Sequence, residues 1–188
     1  MSVRERLGEG GTGAAYPHGL ELREVSGTEA VSSAWLSIGD AFDPPFLERY
    51  DDPEGYLEKM ARNGRTVVCF EGGEIRGCVT FYANDLESRV AFLTLIAVSP
   101  ACRGRGVAKA LLETAIRLSA ESGMDELDLE VEKGNRPALG LYGRFGFAVR
   151  EDRGDGWILR KSLAPAGSEA SDRRARGLKA VSEQRGTV

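Results

Sequence analysis

The chain has 188 residues, with 25 Lys and Arg against 29 Asp and Glu, 41% hydrophobic and 29% charged residues, and a formal net charge of −4. It is long enough to bury a sizeable core, and its mildly acidic balance argues against nucleic acid held by bulk electrostatics. The longest nearly apolar run, Ala91 to Val98, falls well short of the about 20 residues of a membrane span, and Met1 to Gly8 lacks the apolar core of a signal peptide. Cys69, Cys78 and Cys102 are odd in number and far apart, so they form neither a disulfide framework nor a metal knuckle and read as packed residues. The expectation is a cytoplasmic protein with no membrane partner, no nucleic acid and no metal.

Residues 1–19 carry five glycines and no apolar periodicity, and they read as a flexible segment. His18, the one histidine of the chain, lies there and reads as a solvated residue rather than a base held in geometry. A strand is expected over Leu20 to Val25, and a helix from Glu29 to Phe42 that Pro44-Pro45 ends. A second helix spans Pro53 to Arg62, with Asp52 as its cap and Pro53 at its first position. Residues 65–71 and 74–82 are β-rich and separated only by Gly72-Gly73, a hairpin signal. Ala91 to Val98 reads as a central buried strand, and Val107 to Ser122 as an amphipathic helix with Val107, Leu111, Ala115 and Leu118 on one face. Leu127, Leu129 and Val131 alternate with Glu126, Asp128, Glu130 and Glu132 as a strand with one wet face. A short helix from Arg136 to Phe145 and strands over Phe147 to Asp152 and Gly156 to Lys161 close the domain, which spans 20–163; residues 164–188, rich in Ala, Ser, Gly and charge, read as a flexible charged tail. The order of elements is mixed αβ.

The densest chemical signal is Ser99-Pro-Ala-Cys-Arg103-Gly104-Arg105-Gly106-Val107-Ala108-Lys109, a strand running through a glycine-rich turn into a helix. Helix N-termini carry unpaired N–H groups and partial positive charge, glycines let backbone close on a phosphate, and two arginines add charge. A Gly-Lys-Ser/Thr ending is missing, and the dinucleotide fingerprint would need Gly or Ala where Lys109 stands. The spacing that fits is Arg/Gln-x-x-Gly-x-Gly/Ala, on Arg103, Gly106 and Ala108. It resembles the pyrophosphate loop of the GNAT superfamily of acyl-CoA-dependent N-acyltransferases. The stretch Leu95-Ile-Ala-Val98, Val107 to Leu112, Leu127 to Val131, Asn135 and Leu141-Tyr-Gly-Arg-Phe-Gly-Phe147 resembles the core of that family in the same order.

The resemblance implies an α/β (α+β) fold whose mixed central sheet of six to seven strands is splayed at the centre and flanked by helices, with acetyl-CoA in the splay between Ala91 to Val98 and Glu126 to Val131. Backbone groups of Ile96, Ala97 and Val98 then meet the pantetheine arm, the Val98 N–H being placed for charge developing on the thioester oxygen. Backbone from Arg103 through Gly104, Arg105, Gly106 and Val107 to Ala108 takes the pyrophosphate, and Asn135, a helix cap in any case, also touches the cofactor. Tyr142 becomes the general acid at the CoA sulfur. Glu130 becomes the candidate general base, because Glu130-Val-x-x-x-Asn135 resembles the segment of ribosomal-protein N-terminal alanine acetyltransferases. Many members instead carry an acid in the strand before the loop, and Leu93-Thr-Leu-Ile offers none.

Residues 40–58 hold seven acids against Arg49 and match the acceptor-binding helices of the family. Phe42, Asn84 and Asp85 are the candidate acceptor-binding residues, with Trp35 and Phe46 as further pocket or core aromatics. The expected reaction is acetyl transfer to the primary amine of a small molecule. Acetylation of a peptide or protein N-terminus and a non-catalytic acyl-CoA-binding module are the alternatives, and the resemblance leaves a homodimer open.

Overall fold

The computed structural model describes residues 19–163, so the expectations placed on residues 1–18, including His18, and on 164–188 lie outside the described residues. Seven strands form one sheet: β1 (Glu21–Val25), β2 (Arg65–Glu71), β3 (Glu74–Tyr82), β4 (Val90–Val98), β5 (Glu126–Glu132), β6 (Ala148–Asp152) and β7 (Gly156–Ser162). Four α-helices flank it: α1 (Thr28–Leu36), α2 (Pro53–Asn63), α3 (Val107–Glu121) and α4 (Arg136–Arg144). The strand order is β1-β2-β3-β4-β5-β7-β6, and the β4–β5 pairing is parallel while every other pairing is antiparallel. A parallel pair needs a crossover, and α3 supplies it.

Local chemistry accounts for most boundaries. Gly72 and Gly73 have φ of 62° and 84°, the double positive φ that a tight hairpin between β2 and β3 requires. Asp52 caps α2 by accepting from the Gly55 N–H at 2.9 Å, with Pro53 at the first helical position. The expected helix from Glu29 to Phe42 is shorter than its sequence pattern suggested: α1 stops at Leu36, a 3-10 turn covers Gly39–Ala41, and Phe42 is extended. The stop precedes the prolines because the Ser37 hydroxyl donates to the Ser33 carbonyl at 2.6 Å and the chain then turns to bury Ile38 and Phe46.

The sheet has a core on each face. On the α3–α4 face Leu111 of α3 packs with Leu22, Val67, Val79, Phe81, Leu93, Leu127, Leu129 and Phe147; on the other, Val31 and Trp35 of α1 and Leu57 and Met60 of α2 pack with Phe46, Val68 and Cys78. Trp35 and Phe46 are 0% exposed, so they are core residues and not pocket lining. The indole N–H donates to Thr80 Oγ1 at 3.0 Å, and that hydroxyl also bonds Thr66 Oγ1 at 2.7 Å, so these three buried polar groups are paired. Gly77 lets α3 sit on the sheet backbone: a Cβ there would lie 2.9 Å from Ala97 O, Leu111 Cδ1 and Val107 Cγ1. The cysteines are buried, and burial pushes the Cys69 thiol up to about 12 and the Cys78 thiol well above its ordinary value, which fits packed residues. No described helix is long and apolar enough to cross a membrane.

The wet face expected of β5 is not uniform. Asp128 is 5% exposed, because Arg160, its register partner on β7, clamps both carboxylate oxygens at 2.6 and 2.7 Å. The same guanidinium bonds Glu126, and Arg150 reaches Asp128 at 3.4 Å.

Candidate active site

β4 and β5 part company halfway along. They pair over Val90↔Glu126, Ala91↔Leu127, Phe92↔Asp128 and Leu93↔Leu129, after which β4 runs on to Val98 beside β3 while β5 runs on to Glu132 beside β7. The register between β3 and β4 shifts at the same level, Thr80 facing Leu95 and Phe81 facing Leu93, so Thr94 is the bulged residue. A bulge turns the strand and re-aims its side chains, and here it swings the second half of β4 away from β5.

The open edge of β4 is polar backbone. Beyond the strand, the Ser99 N–H donates to Arg76 O on the β3 side at 3.0 Å. Backbone groups alternate sides along a strand, so Ala97 faces β3, and the N–H and C=O groups of Ile96 and Val98 face the split. Of the three β4 residues expected to meet a pantetheine arm, Ile96 and Val98 therefore turn their backbone groups into the split, whereas those of Ala97 pair with β3.

The loop after β4 fits an anion. Gly104 and Gly106 have φ of 76° and 86°, a backbone that L side chains rarely adopt, and a Cβ at either would meet nothing within 4 Å. α3 begins at Val107 with no side-chain cap, and its first N–H groups precede the first intrahelical acceptor; Ala110 is the residue whose N–H reaches Gly106 O, at 3.0 Å. Backbone of Gly104, Gly106, Val107 and Ala108 thus lines an open, positively polarised cradle. The arginine side chains are engaged elsewhere. Arg103 Nη2 donates to Ala41 O at 3.1 Å, tying the loop to the segment between α1 and α2. Arg105 forms a two-bond pair with Glu71, which holds its guanidinium above the ordinary arginine range.

On the α3 side of the sheet, α4 carries Tyr142 and is capped by Asn135. Asn135 caps α4 by accepting from the Ala138 N–H at 3.2 Å, and Tyr142, two turns along, is 5% exposed and packs on Phe147 with ring centroids 5.7 Å apart. Burial pushes the Tyr142 hydroxyl up to about 12; like an ordinary phenol it is protonated and able to donate at neutral pH.

The other face is built by β5, the bulge and the α1–α2 region. Glu130 is exposed and lies past the last β4–β5 pair; its Oε1 is 3.5 Å from where a Gly156 Cβ would stand, so that glycine leaves it room. The Thr94 hydroxyl bonds the Tyr56 hydroxyl at 2.9 Å. Tyr56 stacks on Tyr50 with centroids 4.2 Å apart, and burial, then the neighbouring Tyr56, push the Tyr50 hydroxyl up to about 12. Arg49 donates to Asp43 O at 3.1 Å, lies 5.7 Å over the half-buried Phe42 ring and approaches Glu132 Oε1 at 4.0 Å. The α1–α2 segment is thereby tied to both leaves of the split, through Arg103 on one and Glu132 on the other.

Asn84 and Asp85 are not brought to this place. They lie in the exposed turn leading to the first residue of β4, at the other end of that strand from the glycine loop, where Asn84 Nδ2 reaches Asn63 O at 3.4 Å. Asp85 accepts from the Ser88 hydroxyl and from the N–H groups of Ser88 and Glu87, which hold its carboxyl below the usual range. Thr94 and Tyr56 were absent from the sequence candidates. The signal for Thr94 is its hydroxyl in an otherwise apolar run; for Tyr56 there is none short of knowing that α2 lies over the bulge.

Residues 35–147, well over half of the chain, match the Acetyltransferase (GNAT) family, and the chain belongs to that family. GNAT enzymes are acyltransferases that use acetyl-CoA as donor, and the split, the free β4 edge and the uncapped glycine loop fit that molecule. An N-alpha-acetyltransferase of Arabidopsis thaliana is 45% identical over 81 residues, covering 43% of this chain and 43% of its own. A mycothiol acetyltransferase of Beutenbergia cavernae is 28% identical over 153 residues, covering 74% of this chain and 50% of its own. The chain thus spans half or less of the length of these two relatives. The crystal structure of a GNAT-family acetyltransferase from Streptococcus pneumoniae superposes with a TM-score of 0.61 at 24% identity, covering 77% of this chain and 99% of that one, a likeness of fold.

Proposed function

We propose that this protein transfers an acetyl group from acetyl-CoA to the primary amine of a small molecule by direct attack of the amine on the thioester, in the cytoplasm. The observation that carries the reading is the split itself, with a free backbone edge and an anion cradle on β4 and a protonated tyrosine on one face opposite a carboxylate on the other. The bound donor supplies an activated thioester carbonyl. Ile96 and Val98 hold its arm through backbone groups, and the Val98 N–H donates to the carbonyl oxygen as charge gathers there. Gly104, Gly106, Val107 and Ala108 take the pyrophosphate. Tyr142 donates its proton to the departing sulfur, a role open to a phenol that is neutral at pH 7. Glu130, directly or through water, removes the amine proton, since at pH 7 only about a thousandth of an ordinary amine with pKa near 10 is free base.

A small acceptor is favoured because the α1–α2 segment, held through Arg103 to one leaf and through Arg49 to the other, borders the approach on the Glu130 side. Phe42 with the Arg49 guanidinium over it borders that approach. The match to an N-alpha-acetyltransferase supports the second reading, a peptide N-terminus as acceptor. Titration of acetyl-CoA, followed by a screen of small amines and short peptides for released CoA, separates them. Binding with turnover of small amines is the expected result; turnover of peptides alone overturns the small-molecule reading, and binding with no turnover leaves an acyl-CoA-binding module.

A further inference from the structure

The acceptor side of the split has polar groups to which none of the roles above refers. Thr94 is the bulged residue of β4, and its side chain points away from α3, because its hydroxyl meets that of Tyr56 on α2 at 2.9 Å. Glu130 lies on the same side. Leu127, Leu129 and Val131 pack into the α3–α4 core, alternation puts Asp128, Glu130 and Glu132 on the opposite face, and Arg49 from the α1–α2 segment meets that face at Glu132. Tyr142, in contrast, packs in the α3–α4 core. The split is therefore entered from two faces, with the sulfur-side tyrosine on one and Tyr56, Thr94 and Glu130 on the other.

We infer that the Tyr56–Thr94 hydroxyl pair is the device that holds the acceptor amine, with Tyr56 as the acceptor-binding residue and Thr94 as its positioning residue; this rests on the amine acetyltransferase reading above. A phenol is the stronger acid of the two hydroxyls and the alcohol oxygen the better acceptor, so Tyr56 donates to Thr94 Oγ1. The Tyr50 hydroxyl also approaches the Tyr56 oxygen, which leaves that oxygen one lone pair to accept from an N–H group of an incoming amine. The stack of Tyr50 on Tyr56, with the tilted Phe46 ring 5.4 and 6.5 Å from the two, fixes the Tyr56 ring so that the hydroxyl is held before the acceptor arrives. The bulge gives the arrangement its register. The residue that splays the strand is the residue that aims the phenol, so the amine is presented at the level where β4 and β5 separate, beside Glu130.

The test uses the full chain with 2-phenylethylamine and 1,4-diaminobutane as probe acceptors. Tyr56→Phe removes one oxygen and is expected to raise KM for the amine about tenfold while KM for acetyl-CoA stays within twofold, the size of a hydrogen bond to a polar ligand group (about 1.4 kcal/mol). Thr94→Val, nearly isosteric, gives the same rise, Thr94→Ser restores the wild-type value, and the Tyr56→Phe/Thr94→Val double variant is no worse than either single one. Unchanged amine KM in Tyr56→Phe, additive single effects, or failure of Thr94→Ser to rescue overturns the inference while leaving the enzyme reading intact. No turnover of either probe by a wild-type protein that binds acetyl-CoA overturns the small-amine reading and this inference with it.

Discussion

Leu93 and Leu129 are the last residues at which β4 and β5 pair, and Thr94 and Glu130, one position further along each strand, stand at the opening of the split. Everything assigned to chemistry lies beyond that pair. Before it the two strands are an ordinary parallel ladder in the core; after it β4 has a free backbone edge and β5 belongs to a separate leaf with β6 and β7.

Donor binding depends on the glycine loop, and charge there is separable from strain. Gly106 has φ 86°, so Gly106→Ala introduces backbone strain of roughly 1–2 kcal/mol, whereas Gly106→Glu adds a carboxylate to the anion cradle as well. Calorimetric titration of acetyl-CoA is expected to show about 100-fold or greater loss for Glu, near 2.7 kcal/mol or more, and a much smaller loss for Ala. Equal losses in the two variants refute the cradle.

The seat of that loop rests on one close approach. Gly77→Ala drives a methyl group to 2.9 Å from Ala97 O and from the side chains of Leu111 and Val107, so α3 must lift from the sheet at the end where it leaves the loop. A destabilisation of about 1–3 kcal/mol is expected, with a thermal midpoint several degrees lower and weaker acetyl-CoA binding. An unchanged midpoint contradicts the packing described.

Tyr142→Phe keeps the ring on Phe147 and removes the hydroxyl. Turnover is expected to drop about 100-fold, the lower range for general acid catalysis, with acetyl-CoA binding unchanged by titration. A rate equal to wild type rules the tyrosine out as the acid.

Alkaline titration reports the same burial. The Tyr50 and Tyr142 hydroxyls are raised from 10.0 to about 12, so between those values the folded chain keeps protons that the unfolded chain releases. Their contribution to stability is full below pH 10 and is lost as pH climbs through about 12. Phenolate absorbance followed against pH is expected to show late-titrating tyrosines in the native protein and a single early wave in denaturant. Coincident curves show that these rings are not buried.

Much of this was readable from the chain. The Gly72-Gly73 hairpin, the Asp52 and Asn135 caps, the glycine loop and the strand–helix order follow from local rules, because hairpin turns, caps and phosphate loops are made by residues adjacent in sequence. The length of α1 was not readable, since Ser37 and the burial of Ile38 and Phe46 ended the helix before Pro44-Pro45 did.

What only the tertiary structure decided is set by residues far apart in the chain. Asp128 reads as one of four wet-face acids until Arg160 is laid opposite it in register. Arg105 reads as a phosphate contact until Glu71, 34 residues earlier, is found holding it. Asn84 and Asp85 follow β3, which runs antiparallel to β4 and so ends away from the split, where the chain packs on the end of α2. Thr94 gains a partner 38 residues away on α2. Sequence pattern reports which face a residue lies on through its period, but the identity of the neighbour across that face is a matter of register and layer packing, and those are fixed only when the whole sheet is assembled.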